Sequence, residues 1–220
     1  VYSKNGLLTT VAWRLNKKMS FALDGGIYIT GAATQWLRDG IKIIDNAAQT
    51  EQMAYDAKSN GGVYFVPAFS GLAAPHWDSY ARGTMVGITG GTTREHIVRA
   101  TLESTAYQVK DNLDVMNMDA SMPITILRAD GGAVANNFLM QFQADILGIP
   151  VDVPVIKDTT ALGAAQLAAL GIGEFDSIED LASNWKLAKR YEPKMGAEER
   201  ETLLYNWHRA VERAKNWSEE

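Results

Sequence analysis

The 220 residues include no cysteine, which excludes disulfides and cysteine-ligated zinc and is compatible with a reducing compartment; a cytoplasmic location is the expectation. Histidine is nearly as scarce. His76, His96 and His208 stand far apart, with no H-x-x-x-H pair and no carboxylate at metal spacing, so no protein-bound metal site is expected. No run approaches the ~18 consecutive apolar residues that a membrane span needs, and the amino terminus has no basic, apolar, small-residue signal pattern. Neither a membrane anchor nor export is expected. Lys and Arg are nowhere concentrated and the net charge is -5, so the electrostatic footprint of a nucleic-acid binder is missing. A G-x-S-x-G elbow and a glycine-rich loop ending in Gly-Lys-Ser or Gly-Lys-Thr are also missing, which argues against a serine hydrolase and a P-loop.

What is present has a globular balance, with 46% hydrophobic and 21% charged residues. A chain of this length can bury roughly 70% of the surface that its unfolded form exposes. Numbering begins at Val1, without Met, in a stretch that already reads as a strand, and the expectation is a fragment of a longer protein.

Leu7 to Leu15 and Met19 to Leu23 read as a hairpin around the polar turn Asn16-Lys17-Lys18. Ile27 to Asp39 places Ile29, Ala32, Ala33, Trp36 and Leu37 on one helical face, with Gly40 at its stop, and a second helix covers Ala47 to Ala57. Val63 to Phe69 and Met85 to Thr89 read as strands on either side of a turn-rich loop. Thr92-Thr93-Arg94-Glu95 offers a capping box for a long helix whose Val98, Leu102, Thr105, Val109, Leu113 and Met116 recur at steps of three and four. Strand and helix then alternate: 124–129, 136–147, 151–155 and 160–170. This is the pattern of an α/β layered domain with right-handed crossovers. The tail, Ala197 to Trp217, carries Leu203, Leu204, Trp207, Ala210, Val211 and Ala214 on one stripe, with acidic residues in its first turn and basic ones in its last. With no internal repeat or low-complexity linker, the expectation is one domain over residues 1–220 with a helical tail from 185.

Arg128 to Asn137 carries the strongest local signal, because Gly131-Gly132 falls between a strand and a helix. Adjacent glycines there permit positive φ and close backbone approach, and the following helix start presents unpaired N–H groups to an anion such as phosphate. An ordinary β-α turn with Asn136 as N-cap and Asp130 as a turn-forming carboxylate explains the same residues equally well. Gly31 and Gln35, at i and i+4, share a face and could meet a ligand together, although helix packing is the simpler reading. Thr160 to Ala165, with Gly163, opens a helix that is small and apolar nearly all round and reads as closely packed structure. The run Gly83 to Gly91 reads as a turn, His208 as a surface side chain, and Trp36, Trp207 and Trp217 as packing.

Gly83, Gly87-Ile88, His96-Ile97 and Ala100-Thr101-Leu102-Glu103 resemble the second signature of the FGGY carbohydrate kinase family. Asn5 to Thr10, Gly31 to Asp39, Val66 to Gly71 and Asp130 to Gln143 resemble, within that family, the members that phosphorylate glycerol. The resemblance extends to about Leu170 and is weak in the tail. It implies an actin-like ATPase, ribonuclease H-like fold with a mixed sheet flanked by helices. Gly31, Gln35, Gly132 and Asn136 would then contact ATP or ADP, with ATP and Mg2+ as cofactors of the intact enzyme. The activity implied is phosphoryl transfer from ATP to glycerol, in a homo-oligomeric enzyme with an amino-terminal substrate domain. Ala73, His76 and Gly90 depart from the family pattern, where Gly, Tyr and Arg are usual. The family's Gly-Asp-Gln-Gln motif, which supplies the general base, and its glycerol clamp would lie before Val1, so no catalytic residue is assigned in 1–220. Other family members acting on xylulose, ribulose or gluconate, and a non-catalytic actin-like nucleotide module, share these features.

Overall fold

A computed structural model describes residues 2–15, 17–120 and 122–219. The chain divides into two units, residues 1–124 with 195–220, and residues 125–194. In the first, β1 (Leu8–Leu15) and β2 (Lys18–Asp24) form an antiparallel hairpin with a bulge between Val11 and Trp13. Lys17 takes a left-handed φ of 66° in the turn, and Asn16, expected in the same turn, lies outside the described residues. Then come α1 (Gly31–Asp39), α2 (Gln49–Asp56), and the antiparallel pair β3 (Tyr64–Val66) and β4 (Thr84–Val86), both shorter than their apolar runs predict. The 26-residue helix α3 (Arg94–Asp119) follows.

The capping box of α3 sits one residue later than expected. Thr93 is the N-cap, and Nδ1 of His96 accepts the Thr93 backbone N–H at 3.0 Å. Glu95 pairs instead with Arg94 at 2.8 Å, and hydrogen bonds from the Arg94 guanidinium and the Thr93 side chain hold its carboxyl down at about 2. Nor does α3 bury a single stripe. Ala100, Thr101, Leu102, Glu103, Ser104, Ala106 and Tyr107 are all buried, since α1, α2 and β3 pack around the helix. Glu103 satisfies its buried carboxylate with Arg99 at 2.7 Å and Asn60 at 2.9 Å. Val63, Phe65, Ala33 and Ala100 form a core against which Trp36, Phe69 and Met85 pack, with Trp36 stacked on Phe65 at 5.5 Å.

The second unit holds β5 (Leu127–Arg128), a 3-10 turn (Gly132–Ala135), α4 (Asn137–Leu147), β6 (Val151–Pro154), α5 (Thr159–Gly171), α6 (Ile178–Ser183) and β7 (Leu187–Tyr191). Its mixed sheet runs β5-β6-β7, parallel then antiparallel. Phe138, Leu139, Phe142 and Ile146 of α4 bury alongside Val151 and Val153 of β6. Gly148 ends α4 in the left-handed conformation at φ 70°. The stretch expected as a helical tail from residue 185 thus opens with a strand. Helix is confined to α7 (Ala197–Ala214), which belongs to the first unit.

Close packing was the expectation for α5, and the structure differs: none of its residues is buried, Leu167 is 53% exposed, and a Cβ on Gly163 would meet nothing within 4 Å. Apolar character fixes a tendency to be covered, but not which surface supplies the cover. Gly163→Leu in this 220-residue chain is therefore expected to keep or raise the melting temperature, since Leu exceeds Gly in helix propensity by about 0.8 kcal/mol. A thermal melt checks it, and a drop of several degrees would restore the close-packing reading.

Candidate functional site

In the second unit, Ala129 still donates to Asp152 O at 2.9 Å beyond the end of β5. The chain then turns through Gly131, whose φ of 80° and ψ of -170° suit a residue without Cβ, and whose N–H is held by Lys157 O at 2.9 Å. Val134 is buried beneath the 3-10 turn, while Gly131, Gly132 and Ala133 face outward. A Cβ on Gly132 would meet nothing within 4 Å. Asn136 is the N-cap of α4, its Oδ1 accepting Leu139 N–H at 2.9 Å. The cap reading of Asn136 is therefore realised. The first turn of α4 carries no acidic residue, and the exposed glycines and the 3-10 turn lead directly into that helix start.

In the first unit, Gly31 is the first residue of α1 and Gln35 follows one turn later, both exposed. Ala33 and Leu37 bury the opposite side, so Gly31 and Gln35 share the outward face that their spacing predicts. Space is open around Gly31, where a Cβ would meet nothing within 4 Å. The four candidate residues thus form two local pairs, one on α1 and one on the turn into α4.

A cluster in the first unit was illegible in the sequence. Asp111, buried on α3, accepts Trp207 Nε1 at 2.8 Å and lies 3.0 Å from His208 Nε2 and 3.4 Å from His76 Nε2. Tyr107 stacks on Trp207 at 5.2 Å. His208 is 55% exposed at its side chain, yet it is a partner of a buried carboxylate rather than the plain surface residue expected. Trp36 and Trp207 pack as expected, whereas Trp217 is 70% exposed. Burial pushes the Asp111 carboxyl up, but hydrogen bonds from His208, His76 and Trp207 outweigh it and leave the group below its ordinary value. The hydrogen bond to Asp111 raises His208.

The pH dependence follows from these directions. Folding tightens the His208 proton, so its contribution to stability is complete below about pH 6.5 and lost as pH rises through the elevated folded value. Asp111 contributes above about pH 4, and that part is lost as pH falls through its depressed value. His208→Gln is expected to lower the melting temperature at pH 6 and to converge with the unsubstituted chain at pH 9. Equal differences at both values would show that the imidazolium contributes nothing.

Among the described residues no group of three or more His, Asp or Glu side chains could hold a metal ion. No helix among them is long and apolar enough to cross a membrane.

Residues 1–172 match the model of the C-terminal domain of the FGGY family of carbohydrate kinases. The chain belongs to the FGGY family. Among its curated relatives, "Glycerol kinase 2" of Thermotoga maritima is 61% identical over 215 residues, which is 98% of this chain and 43% of that protein. The glycerol kinase of Petrotoga mobilis is 57% identical over 220 residues, which is 100% of this chain and 44% of the relative. The crystal structure of Plasmodium falciparum glycerol kinase with ADP superposes with a TM-score of 0.88 at 38% identity, covering 97% of this chain and 43% of that one. This FGGY chain therefore spans less than half the length of these relatives. Its fold is that of the actin-like ATPases, and within it α4 packs on the mixed β5-β6-β7 sheet. The 3-10 turn and α4 lie within the family match, whereas β7 and α7 lie beyond it.

Proposed function

We propose that this protein takes part in the ATP-dependent phosphorylation of glycerol to glycerol 3-phosphate, and that residues 1–220 are its nucleotide-binding half. The observation that carries the reading is the superposition on a glycerol kinase with ADP, joined to an exposed glycine turn leading into a helix start without acidic residues. Gly31 and Gln35 on α1, with Gly132 and Asn136 on the turn into α4, are the proposed contacts for ATP and ADP. Phosphoryl transfer depends mostly on positioning and on stabilising charge, so a unit that holds the nucleotide contributes directly to rate. Magnesium enters this reading with the ATP phosphates. The described residues do not fit a dedicated metal site, and no role in holding the ion is assigned to them.

The same reading places the general base and the glycerol clamp in an amino-terminal domain, in a cytoplasmic homo-oligomer. Exposed apolar surface supports further cover from elsewhere in the protein. Val11, Trp13 and Phe21 of the hairpin are each about half exposed, and a two-stranded ribbon is marginal alone in water.

The test is ADP release from magnesium ATP, with and without glycerol, by the 220-residue chain and by the chain joined to an amino-terminal half. Glycerol-dependent turnover is expected only from the joined protein, because loss of a general base alone costs ~10²- to 10⁴-fold. Turnover on xylulose, ribulose or gluconate in place of glycerol would overturn the substrate, and no turnover with any of them would overturn the activity.

A further inference from the structure

The start of α4 is held from one side by a row of polar side chains. Asn137, Gln141 and Asp145 stand at i, i+4 and i+8 on this 11-residue helix, so they share one face over about 12 Å of its axis. Each bonds to the segment 189–194. Asn137 Oδ1 accepts the Tyr191 hydroxyl at 2.8 Å and the Lys189 ammonium at 2.6 Å. Gln141 Nε2 donates to Glu192 O at 2.9 Å, and Asp145 Oδ1 accepts Lys194 N–H at 2.6 Å.

The segment that grips the helix is itself fixed. Tyr191 is buried and registers with Val151 of β6, and Lys189 lies 4.4 Å over the Tyr191 ring. Arg190 makes a two-pronged ion pair with the buried Asp152, at 2.6 and 2.7 Å. Hydrogen bonding from that guanidinium holds the Asp152 carboxyl below its ordinary value. A slide or rotation of α4 would break all three rungs together. Asn136 and the Gly132 turn immediately precede the first rung, and a binding constellation has to be held to about 0.5 Å to work. The gripping segment lies outside residues 1–172, the stretch matched by the model of the family's C-terminal domain, while the Petrotoga mobilis relative aligns through it.

We propose that Asn137, Gln141 and Asp145, with Tyr191 and Lys189, are positioning residues that set nucleotide affinity by fixing the axial place of α4. The inference rests on the nucleotide-site reading above. Its test compares the unsubstituted chain with Tyr191→Phe, which removes one hydroxyl, with Gln141→Leu, and with Asp145→Leu and Asp145→Asn. Calorimetry with ADP and amide hydrogen exchange over residues 131–147 are the measurements. Each of the first three variants is expected to weaken ADP about fivefold and to speed exchange at 131–140, with the cooperative melt retained. Asp145→Asn keeps an oxygen for Lys194 N–H and is expected to bind ADP within about twofold of the original. In the joined protein these variants should raise KM for ATP and leave KM for glycerol unchanged. Unchanged ADP affinity in Tyr191→Phe and Gln141→Leu, alongside normal binding by the unsubstituted chain, overturns the positioning role alone. An unsubstituted chain that neither binds ADP nor slows exchange at 131–136 on adding it overturns the nucleotide-site reading and this inference with it.

Discussion

Gly132→Val is expected to weaken ATP binding more than tenfold while leaving the melting temperature of the chain almost where it was. The two halves of that expectation come from different observations. Stability is spared because a Cβ on Gly132 meets nothing within 4 Å and the residue is exposed, a setting in which substitutions usually stay within about ±0.5 kcal/mol. On the proposed nucleotide site affinity falls because the branched side chain fills the space through which a phosphate oxygen would come to within about 3 Å of the backbone N–H. Tenfold corresponds to about 1.4 kcal/mol. Titration calorimetry with ATP beside a melt of the same sample checks both halves, and unchanged affinity would remove Gly132 from the site. Asn136→Ala is a poorer probe, because it also removes the cap on Leu139 N–H, itself worth about 1 kcal/mol of stability. Asn136→Ser keeps a capping oxygen and isolates the ligand contact.

Gly87→Ala is expected to lower the melting temperature by about 10 °C or more, or to abolish the cooperative transition. Gly87 follows β4 with φ 82°, and a Cβ there would fall 1.9 Å from Gly62 O and 2.8 Å from Gly62 C. Both obstacles are backbone, so no side-chain rotation relieves them. The chain after β4 would have to move away from residues 62–63, and Val63 and Phe65 beneath belong to the core with Ala33 and Ala100. A left-handed penalty of about 1 to 2 kcal/mol adds to the displacement. Together they take a large share of the 5–15 kcal/mol by which domains are usually stable. At this size each kilocalorie is worth about 2–4 °C. A thermal melt with an unchanged midpoint would show that the turn yields cheaply. Gly87 is one of the glycines that carry the family resemblance, and the close approach of the Gly62 backbone gives that glycine a structural reason.

Where sequence reasoning fell short, the cause was tertiary. The three- and four-residue steps in α3 identify Val98, Leu102 and Leu113, which are buried, but they pass over Glu103, Ser104 and Asp111, which are buried too. Periodicity detects one wet face and one dry face, and a helix surrounded on several sides has no such contrast. The capping signature looks for Glu or Gln at the third helical position, whereas His96 does the work there through an imidazole nitrogen one residue further on. Strands 63–69 and 124–129 shrink to Tyr64–Val66 and Leu127–Arg128, because an apolar run measures burial while a strand requires a ladder partner at every residue.

The sequence by itself determined the order of strands and helices as far as α5, the hairpin, the glycine turn before α4, the Asn136 cap and the kinase family. Each of these depends on interactions within a few residues or on motifs that survive as strings. Only the tertiary structure decided that His76, Trp207 and His208 converge on Asp111 across 35 to 97 positions, that residues 189–194 grip the face of α4, and that α5 lies uncovered in this chain. The physical reason is that a polar group's partner is fixed by where desolvation forces it to find one, and desolvation is set by the packing of distant segments. Local propensity contains no term for that.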